Sequence, residues 1–142
     1  MIYTNSDGGS RGNPGPGAVG ILIRDGEKIL VKQSKFIGRF VTNNMAEYDA
    51  LIMALKLASK HTNKEITCCL DSELIVNQLL GKYRVRNSKL LPLFLEVQKL
   101  QENFEKIIYK YVSREDKFQI LADELVNDEL ERAGYPKFPG KR

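Results

Sequence analysis

The sequence predicts an α/β domain with one five-stranded mixed sheet and helices on both of its faces. Three strand-like segments open the chain, and the two-residue turn Asp25-Gly26 joins the second to the third, which makes that pair antiparallel. After residue 43, strand-like segments alternate with helical ones, and this alternation is typical of parallel crossovers. The 142 residues are enough for a single domain with one hydrophobic core.

The first half of the chain supplies three strands and one helix. Residues 2–7 form a short strand-like run, and the glycines and prolines that follow predict a loop over residues 8–17. Residues 18–24 are apolar, and residues 28–37 alternate weakly between apolar and polar side chains, so both are predicted strands. Residues 44–60 carry apolar side chains at helical spacing and are therefore predicted to form a helix.

The second half alternates between strands and helices. Residues 65–70 are predicted to be a buried strand, in which Cys68 and Cys69 are expected to be small core residues rather than a disulfide or a metal site. The remaining predicted elements are helices over residues 72–80, 90–104 and 122–133 and a strand over residues 107–112. Gly81 and Gly134 directly follow the first and the last of these helices, and glycine is common just after the end of a helix.

The charge and the composition of the chain indicate which partners and which cellular location to expect for this protein. The 22 Lys and Arg against 18 Asp and Glu give a net charge of +4, which permits a polyanionic partner. No apolar run reaches the roughly 18 residues of a membrane span, and the polar N-terminus is unlike a signal peptide. We therefore expect a cytosolic protein with no membrane partner and no obligate protein partner. We assign residues 1–134 to the folded domain and residues 135–142 to a basic, loosely held C-terminal tail.

Four acidic residues occupy positions that suggest a shared site. Asp7 and Asp71 are predicted to end strands, and ligand sites in open α/β sheets collect at the carboxyl ends of strands. Glu47 lies on the apolar face of its helix, where an unpaired carboxylate is costly, and Asp123 is predicted to begin the last helix. Converging carboxylates repel one another unless cations lie between them, and oxygen ligands favour Mg²⁺ or Mn²⁺. Two such ions suit the cleavage of a phosphodiester.

Each acid also has an ordinary structural explanation. Asp7 could begin a turn, Asp71 could cap its helix, and Glu47 and Asp123 could complement helix dipoles. The glycine-rich segment 8–15 could be a plain loop, because it lacks the GxxxxGK[ST] pattern of a P-loop. A shared site is favoured because two strand ends, one inward-facing helix position and one helix start can meet at a single edge of the sheet.

Four segments resemble the motifs of type 1 ribonucleases H. In chain order they are Asp7-Gly8-Gly9-Ser10-Arg11-Gly12-Asn13-Pro14-Gly15, Thr42-Asn43-Asn44-Met45-Ala46-Glu47, Asp71-Ser72-Glu73-Leu74-Ile75-Val76-Asn77-Gln78 and Ala122-Asp123. The resemblance covers nearly the whole chain up to Gly134. It implies the ribonuclease H-like fold and, over residues 1–134, an endonuclease that hydrolyses the RNA strand of RNA/DNA hybrids and leaves 5′-phosphate and 3′-hydroxyl ends.

The same resemblance implies roles for individual residues. The residues that would hold two Mg²⁺ or Mn²⁺ ions are Asp7, Glu47, Asp71 and Asp123. The residues that match contacts to the minor groove of the hybrid are Asn13, Asn43 and Asn44. The residues that match positions near phosphates and riboses are Ser10, Gly12 and Thr42.

The chain departs from this family at two places. Many members carry a His in the loop before the last acid, but residues 114–121 contain none. The residues expected to assist turnover in its place are therefore Arg114, Glu115 and Lys117. The length of this loop also leaves Asp116 as an alternative to Asp123. The basic protrusion of many bacterial members is missing, and a short segment instead carries basic residues that could touch phosphate, namely Lys82, Arg84, Arg86 and Lys89.

Two other functions remain open at this point. A nuclease of the same fold could act on double-stranded RNA, and a chain with weak chemistry could serve as a hybrid-binding module. Cleavage of a hybrid and of an RNA duplex, each with and without Mg²⁺, separates the three functions.

Overall fold

A computed structural model describes residues 1–137 of the chain. Its elements, in chain order, are β1 (Ile2–Ser10), β2 (Gly15–Asp25), β3 (Lys28–Val41), α1 (Asn43–Ala58), β4 (Glu65–Leu70), α2 (Glu73–Leu79), α3 (Leu91–Gln101), β5 (Lys106–Tyr111) and α4 (Lys117–Arg132). The strands lie in the order β3-β2-β1-β4-β5. Strands β1 to β3 pair antiparallel, whereas β4 pairs in parallel with both β1 and β5. This sheet confirms the predicted mixed α/β fold.

Helices α1 and α4 cover opposite faces of the sheet. Asp7 pairs with Gly20 across β1 and β2, so these two residues share a face, and Gly8 lies on the other. Gly8 lies against the backbone of Ala46 in α1, whereas Gly20 lies against the backbone of Ala122 in α4. Helix α3 packs on α1. None of the helices within residues 1–137 combines the length and the apolar character that crossing a membrane requires.

Two hydrophobic clusters hold these layers together. The main core, between the sheet and α1, includes the fully buried side chains Ile21, Ile23, Tyr48, Leu51, Leu55 and Ile66. Cys68 also lies in this core, and burial raises the pKa of its thiol to about 12, as suits an unreactive core residue. The smaller cluster lies under α4 and consists of Ala18, Val126 and Leu130, with Phe36 packed against it.

The predicted loop over residues 8–17 is wrong, because β1 and β2 are longer than expected. Strand β1 continues to Ser10 and β2 begins at Gly15, so only residues 11–14 lie between them. Glycine usually weakens a strand, but at Gly8 it allows the sheet to approach α1 closely. Asp7 therefore lies inside β1, which excludes its explanation as the first residue of a turn.

Helix α4 begins at Lys117, whereas the sequence predicted a start at residue 122. Asp116 is its N-cap, and the Oδ1 atom accepts hydrogen bonds from the backbone N–H groups of Phe118 at 2.9 Å and Gln119 at 3.0 Å. The prediction that Asp123 begins this helix is therefore wrong. Asp123 lies in the second turn, where the helix dipole gives it little stabilisation.

The start of the predicted tail is held against the domain. The ring of Tyr135 stacks on Phe36 with 5.9 Å between ring centroids and an angle of 6° between ring planes. The prediction of a loosely held tail is therefore wrong at Tyr135. Residues 138–142 of that tail lie outside the described residues.

Candidate active site

Three carboxylates meet where β1 and β4 diverge. The parallel pairing of these strands ends at Asn5 and Cys69, and an acid follows each of them two residues later. Asp7, Glu47 and Asp71 each place a carboxylate oxygen within 4.8 Å of the other two. The structure thus brings together three of the four predicted acids, two from strand ends and one from a helix.

Glu47 reaches this site from the first turns of α1. The hydroxyl of Thr42 caps the helix by accepting a hydrogen bond from the Met45 N–H at 3.1 Å. Glu47 is directed toward the sheet, where it is only 9% exposed. Its Oε1 atom accepts a hydrogen bond from the Gly8 N–H at 2.7 Å. This bond ties α1 to β1 beside Asp7 and leaves the second carboxylate oxygen of Glu47 for another partner.

Asp71 does not cap the helix that follows it. The N-cap of α2 is Ser72, whose hydroxyl accepts a hydrogen bond from the Ile75 N–H at 3.3 Å. The capping explanation of Asp71 is therefore wrong. The Oδ2 atom of Asp71 lies 4.0 Å from the Nε atom of Arg114.

Asp123 lines the same cleft from α4, together with Asp7, Glu47 and Asp71. Its Oδ2 atom accepts a hydrogen bond from the side-chain amide of Asn127 at 3.2 Å. Since Asp116 caps α4 and Asp123 faces the other acids, the structure favours Asp123 as the fourth acid of the site.

The acid cluster is unfavourable as long as it holds only negative charge. Burial, and then the charges of Asp71 and Asp123, raise the pKa of Asp7 to about 8. Burial and the neighbouring Asp7 and Asp71 also raise the pKa of Glu47, and burial raises that of Asp71. Arg114 opposes the shift at Asp71, but its side chain is 89% exposed, so solvent screens its charge. Buried, converging oxygen ligands of this kind fit a divalent metal.

Hydrogen bonds link four of the six predicted substrate-contacting residues, namely Ser10, Gly12, Asn13 and Asn43. The Ser10 N–H donates to Oδ1 of Asn43 at 3.0 Å, and the Asn43 N–H donates to Oδ1 of Asn13 at 2.9 Å. The Ser10 hydroxyl also donates to the Gly12 carbonyl. These bonds join the end of β1, the loop of residues 11–14 and the start of α1.

Two adjoining depressions are lined by the predicted substrate-contacting residues other than Gly12. Ser10, Asn43 and Asn44 line the acid cleft, which has a volume of about 500 Å³. A neighbouring recess of about 410 Å³ is lined by Asn13 and Thr42 and shares Asn43 and Asn44 with the cleft. Together they form one continuous polar surface that begins at the acids.

Most of the chain is similar to known protein sequences. The family model described as reverse transcriptase-like matches residues 5–128. The chain is 38% identical over 134 residues to the bifunctional protein Rv2228c of Mycobacterium tuberculosis, which covers 93% of this chain and 36% of that protein. It is 36% identical over 130 residues to ribonuclease HI of Halobacterium salinarum, covering 89% of this chain and 65% of that enzyme. The chain thus spans about a third of the length of the mycobacterial relative.

Solved structures agree with the sequence comparison. The N-terminal RNase H domain of Rv2228c has a TM-score of 0.86 at 38% identity and covers 94% of this chain and 95% of that one. RNase H1 of H. salinarum has a TM-score of 0.86 at 36% identity, covering 92% and 98%. LC11-RNase H1, solved in complex with an RNA/DNA hybrid, has a TM-score of 0.87 at 35% identity, covering 94% and 99%. The chain belongs to the ribonuclease H family.

Three residues before or at the start of α4 were predicted to assist turnover in this member of the ribonuclease H family. They lie at different places in the structure. Arg114 lines the acid cleft. The Glu115 N–H donates to the Ser113 hydroxyl at 3.1 Å, which forms part of the turn before α4. Lys117 lies on the first turn of α4, with its Nζ 2.9 Å from Oε1 of Glu27. Only Arg114 of the three is beside the acids.

One basic residue of the short segment that replaces the protrusion also lies near the predicted contacts. Lys89 lines the recess that contains Asn13 and Thr42. Its backbone N–H donates to the Oδ1 atom of Asn87 at 2.7 Å, which fixes the turn before α3. The structure therefore places one cation of this segment at the edge of the polar surface.

A buried polar network that the sequence analysis missed fixes α4 on the sheet of this ribonuclease H domain. The fully buried Gln119 accepts a hydrogen bond from the side-chain amide of Asn5 at 3.1 Å and donates one to the Ser6 carbonyl at 2.8 Å. Gln119 precedes Asp123 by one helical turn, and Ser6 precedes Asp7. The network therefore ties the fourth acid to the first.

A cation completes the network. The Nε atom of Arg24 donates to Oδ1 of Asn5 at 2.8 Å. The same guanidinium lies over the rings of Tyr3 at 4.4 Å and Phe118 at 4.0 Å. The one signal in the sequence was a polar Asn5 at a strand position where an apolar side chain is usual, and nothing in its spacing indicated a partner as distant as Gln119.

Replacing Gln119 by Leu is expected to lower the free energy of unfolding by about 1–3 kcal/mol, because the side-chain N–H of Asn5 and the carbonyl of Ser6 would each lose a buried hydrogen bond. Urea denaturation of the metal-free protein measures this change. Gln98→Leu is the matched control, because Gln98 is exposed on α3 and surface changes usually stay within about 0.5 kcal/mol. Equal denaturation midpoints for the two variants would contradict the role given to the network.

Proposed function

We propose that this chain is an endoribonuclease that hydrolyses the RNA strand of RNA/DNA hybrids and leaves 5′-phosphate and 3′-hydroxyl ends. The observation that carries this proposal is the cleft in which Asp7, Glu47 and Asp71 lie within 4.8 Å of one another and Asp123 joins them. The similarity to ribonuclease HI and to LC11-RNase H1, which was solved with a hybrid, supports the same substrate. The cytosolic location predicted from the sequence stays a prediction.

We propose that the four acids hold two divalent ions, Mg²⁺ or Mn²⁺. The raised pKa values of Asp7, Glu47 and Asp71 support this, because a bound cation favours their ionised forms. When bound, such ions supply an activated water and stabilise negative charge on the leaving oxygen. The chain itself orients the ligands, since the Gly8 N–H holds Glu47 and the Asn127 amide holds Asp123.

The polar surface next to the acids is suited to a hybrid duplex. The side-chain amides of Asn13, Asn43 and Asn44 can hydrogen-bond base edges in the minor groove, and backbone near Ser10 and Gly12 can contact 2′-hydroxyls. The hydrogen bonds among Ser10, Gly12, Asn13 and Asn43 support a single arrangement of these four residues before the duplex binds. A strand with a run of riboses is therefore the preferred substrate, and a single ribonucleotide within DNA is expected to be cut poorly.

Cleavage of a labelled hybrid is expected to require Mg²⁺ or Mn²⁺, with no cleavage in Ca²⁺ or in EDTA. Calcium accepts more ligands at longer distances, so it would misplace the attacking water. Gel analysis of the RNA strand after incubation with each ion measures this, and end-labelling identifies the product termini. Strong cleavage in Ca²⁺ or EDTA would contradict the two-ion proposal.

The same cleavage assay, repeated with other duplexes, distinguishes the proposed function from the two alternative functions. An all-DNA duplex is expected to bind and remain intact, because it lacks 2′-hydroxyls. Cleavage of double-stranded RNA in preference to the hybrid would assign the chain to the other nuclease class. Binding of the hybrid without cleavage in any metal would identify a binding module.

Within the loop before α4, replacing Arg114 by Ala is expected to slow turnover by about tenfold, equivalent to about 1.4 kcal/mol. Arg114 lies beside Asp71 and can attract the departing phosphate. Lys117→Ala is the matched control from the first turn of α4, because Lys117 pairs with Glu27. His61→Ala is also expected to be silent, because His61 lies beyond Ala58, the last residue of α1, which is about 16 Å from Glu47 along the helix axis at 1.5 Å per residue. Turnover at saturating hybrid is the measurement, and equal rates for all three variants would contradict the assignment of Arg114.

A further inference from the structure

We propose that the segment after α4 forms one wall of the cleft, and that Lys137 binds a backbone phosphate of the nucleic acid. This inference rests on the proposed function, because it assumes that a nucleic-acid strand crosses the acid cleft. Lys137 lies beyond residues 5–128, over which the family model matches. It lines the cleft together with Asp7, Asp123 and Arg11.

The segment has a defined path because its first residues are anchored. Gly134 has a φ of +97°, a value that glycine adopts without strain, and this turns the chain back at the end of α4. The Tyr135 N–H then donates to the Leu130 carbonyl at 2.8 Å. The Tyr135 ring stacks on Phe36, and its carbonyl accepts a hydrogen bond from Nε of Arg11 at 3.0 Å. Contacts to α4, β3 and the loop of residues 11–14 therefore fix Tyr135 and direct the residues that follow it.

The charges of the cleft explain why a cation at this position is useful. The negative charge of the four acids repels the phosphates of a nucleic-acid strand, except where a metal ion neutralises a phosphate. Arg114 lies near Asp71, and Lys137 and Arg11 line the same cleft as the acids. A strand that enters the cleft would thus meet these cations as well as the acids.

The chemistry of lysine also identifies the part of the ligand that it contacts. An exposed ammonium group is a mobile point charge that attracts phosphate without the fixed geometry needed to read a base. The ligand class is therefore the sugar–phosphate backbone. Loss of this contact is expected to weaken binding equally for all sequences and to reduce the salt dependence of binding.

The test measures binding of a labelled hybrid to the full chain in EDTA, over a series of salt concentrations. Lys137→Gln is expected to weaken binding by about threefold to tenfold and to lower the slope of log K against log salt by about 0.9, the contribution of one phosphate contact. Lys137→Arg keeps the charge and is expected to bind as the original chain does. Lys60→Gln is the matched control, because it removes the same charge from the exposed turn that follows α1, at the end of the helix opposite to Glu47.

Two further variants test the anchoring. Tyr135→Ala is expected to show the same loss as Lys137→Gln, whereas Tyr135→Phe keeps the stacked ring and the backbone contacts and is expected to bind normally. Replacing both Lys141 and Arg142 by Gln keeps the length of the chain and is expected to leave binding as in the original chain. A loss of affinity in that variant as large as the loss in Lys137→Gln would move the contact to later residues and overturn the assignment of Lys137.

The outcomes distinguish this inference from the proposed function. Unchanged affinity and salt slope in Lys137→Gln, or an equal change in Lys60→Gln, would overturn the inference even if the chain cleaves hybrids normally. Faster cleavage by Lys137→Gln would also overturn it, because that result identifies the lysine as an obstruction in the cleft. Binding that depends on Lys137 without any metal-dependent cleavage would support the inference and contradict the proposed function.

Discussion

Asp7→Asn is expected to reduce cleavage of the hybrid by on the order of 10³-fold or more while leaving the fold intact, because it removes a negative charge from the acid cluster that we propose holds the metal ions. Single-turnover cleavage in Mg²⁺ measures the loss, and circular dichroism checks the fold. Asp116→Asn is the matched control, because Asn also serves as an N-cap and Asp116 caps α4. Near-normal cleavage by Asp7→Asn, or an equal loss in Asp116→Asn, would contradict the assignment of the acids.

The same variant has an opposite effect on the stability of the metal-free protein. The pKa of Asp7 is raised to about 8 from an ordinary value of 3.8, so the folded state holds a proton that the unfolded state releases. The stability of the original chain in EDTA must therefore fall as the pH rises from about 4 to about 8. Asp7→Asn removes the contribution of Asp7 to this dependence, while the contributions of Glu47 and Asp71 remain. Its melting temperature is therefore expected to be a few degrees higher than that of the original chain near pH 8 and equal to it near pH 4. A lower melting temperature for the variant at pH 8 would contradict the electrostatic account.

Gly8→Ala is expected to lower the free energy of unfolding by about 3 kcal/mol or more. The added methyl group would overpack the space between β1 and α1, and overpacking is costly when the backbone must move. A Cβ atom at Gly8 would lie 2.2 Å from the Ala46 carbonyl oxygen and 2.7 Å from the Glu47 nitrogen. Both atoms belong to the backbone of α1, so the helix itself must shift away from the sheet. Cleavage is expected to fall as well, because Glu47 would move with the helix and lose its bond to the Gly8 N–H.

Gly9→Ala is the control for stability at the neighbouring position. A Cβ atom there would meet only a side-chain carbon of Val126 at 3.7 Å, an ordinary van der Waals contact. Its stability is expected to stay within about 1 kcal/mol of the original chain. Urea denaturation of both variants compares the two positions, and similar midpoints would show that α1 does not approach the sheet as closely as described.

The convergence of the strand-borne acids was predictable because it depends on a simple property of parallel strands. Once β1 and β4 are recognised as parallel neighbours, equivalent positions past their last paired residues come to one edge of the sheet, and Asp7 and Asp71 occupy those positions. The inward direction of Glu47 follows from its spacing relative to Ala50 and Leu51 on α1. These inferences need only strand direction and helical periodicity.

The start of α4 and the true length of β1 were not predictable in the same way. The first turn of α4 is stabilised by contacts that are distant in sequence, since Phe118 packs on Arg24 and Gln119 bonds to Asn5. The run of glycines after Asp7 normally predicts a loop, but Gly8 is required by the closeness of a helix elsewhere in the chain. Local propensity carries no information about either partner.

The division of the hydrophobic side chains into two clusters has a consequence for how activity would be lost on heating. Asp7, Glu47 and Asp71 are attached to elements that enclose the main core, whereas Asp123 is carried by α4 over the smaller cluster of Ala18, Val126 and Leu130. Cooperative units of a protein can unfold separately, and the unit with the fewest buried apolar contacts usually unfolds first. Detachment of α4 would remove Asp123 from the cleft while most of the native amide protection persists. On the proposed function, we therefore expect loss of hybrid cleavage on heating to precede global melting.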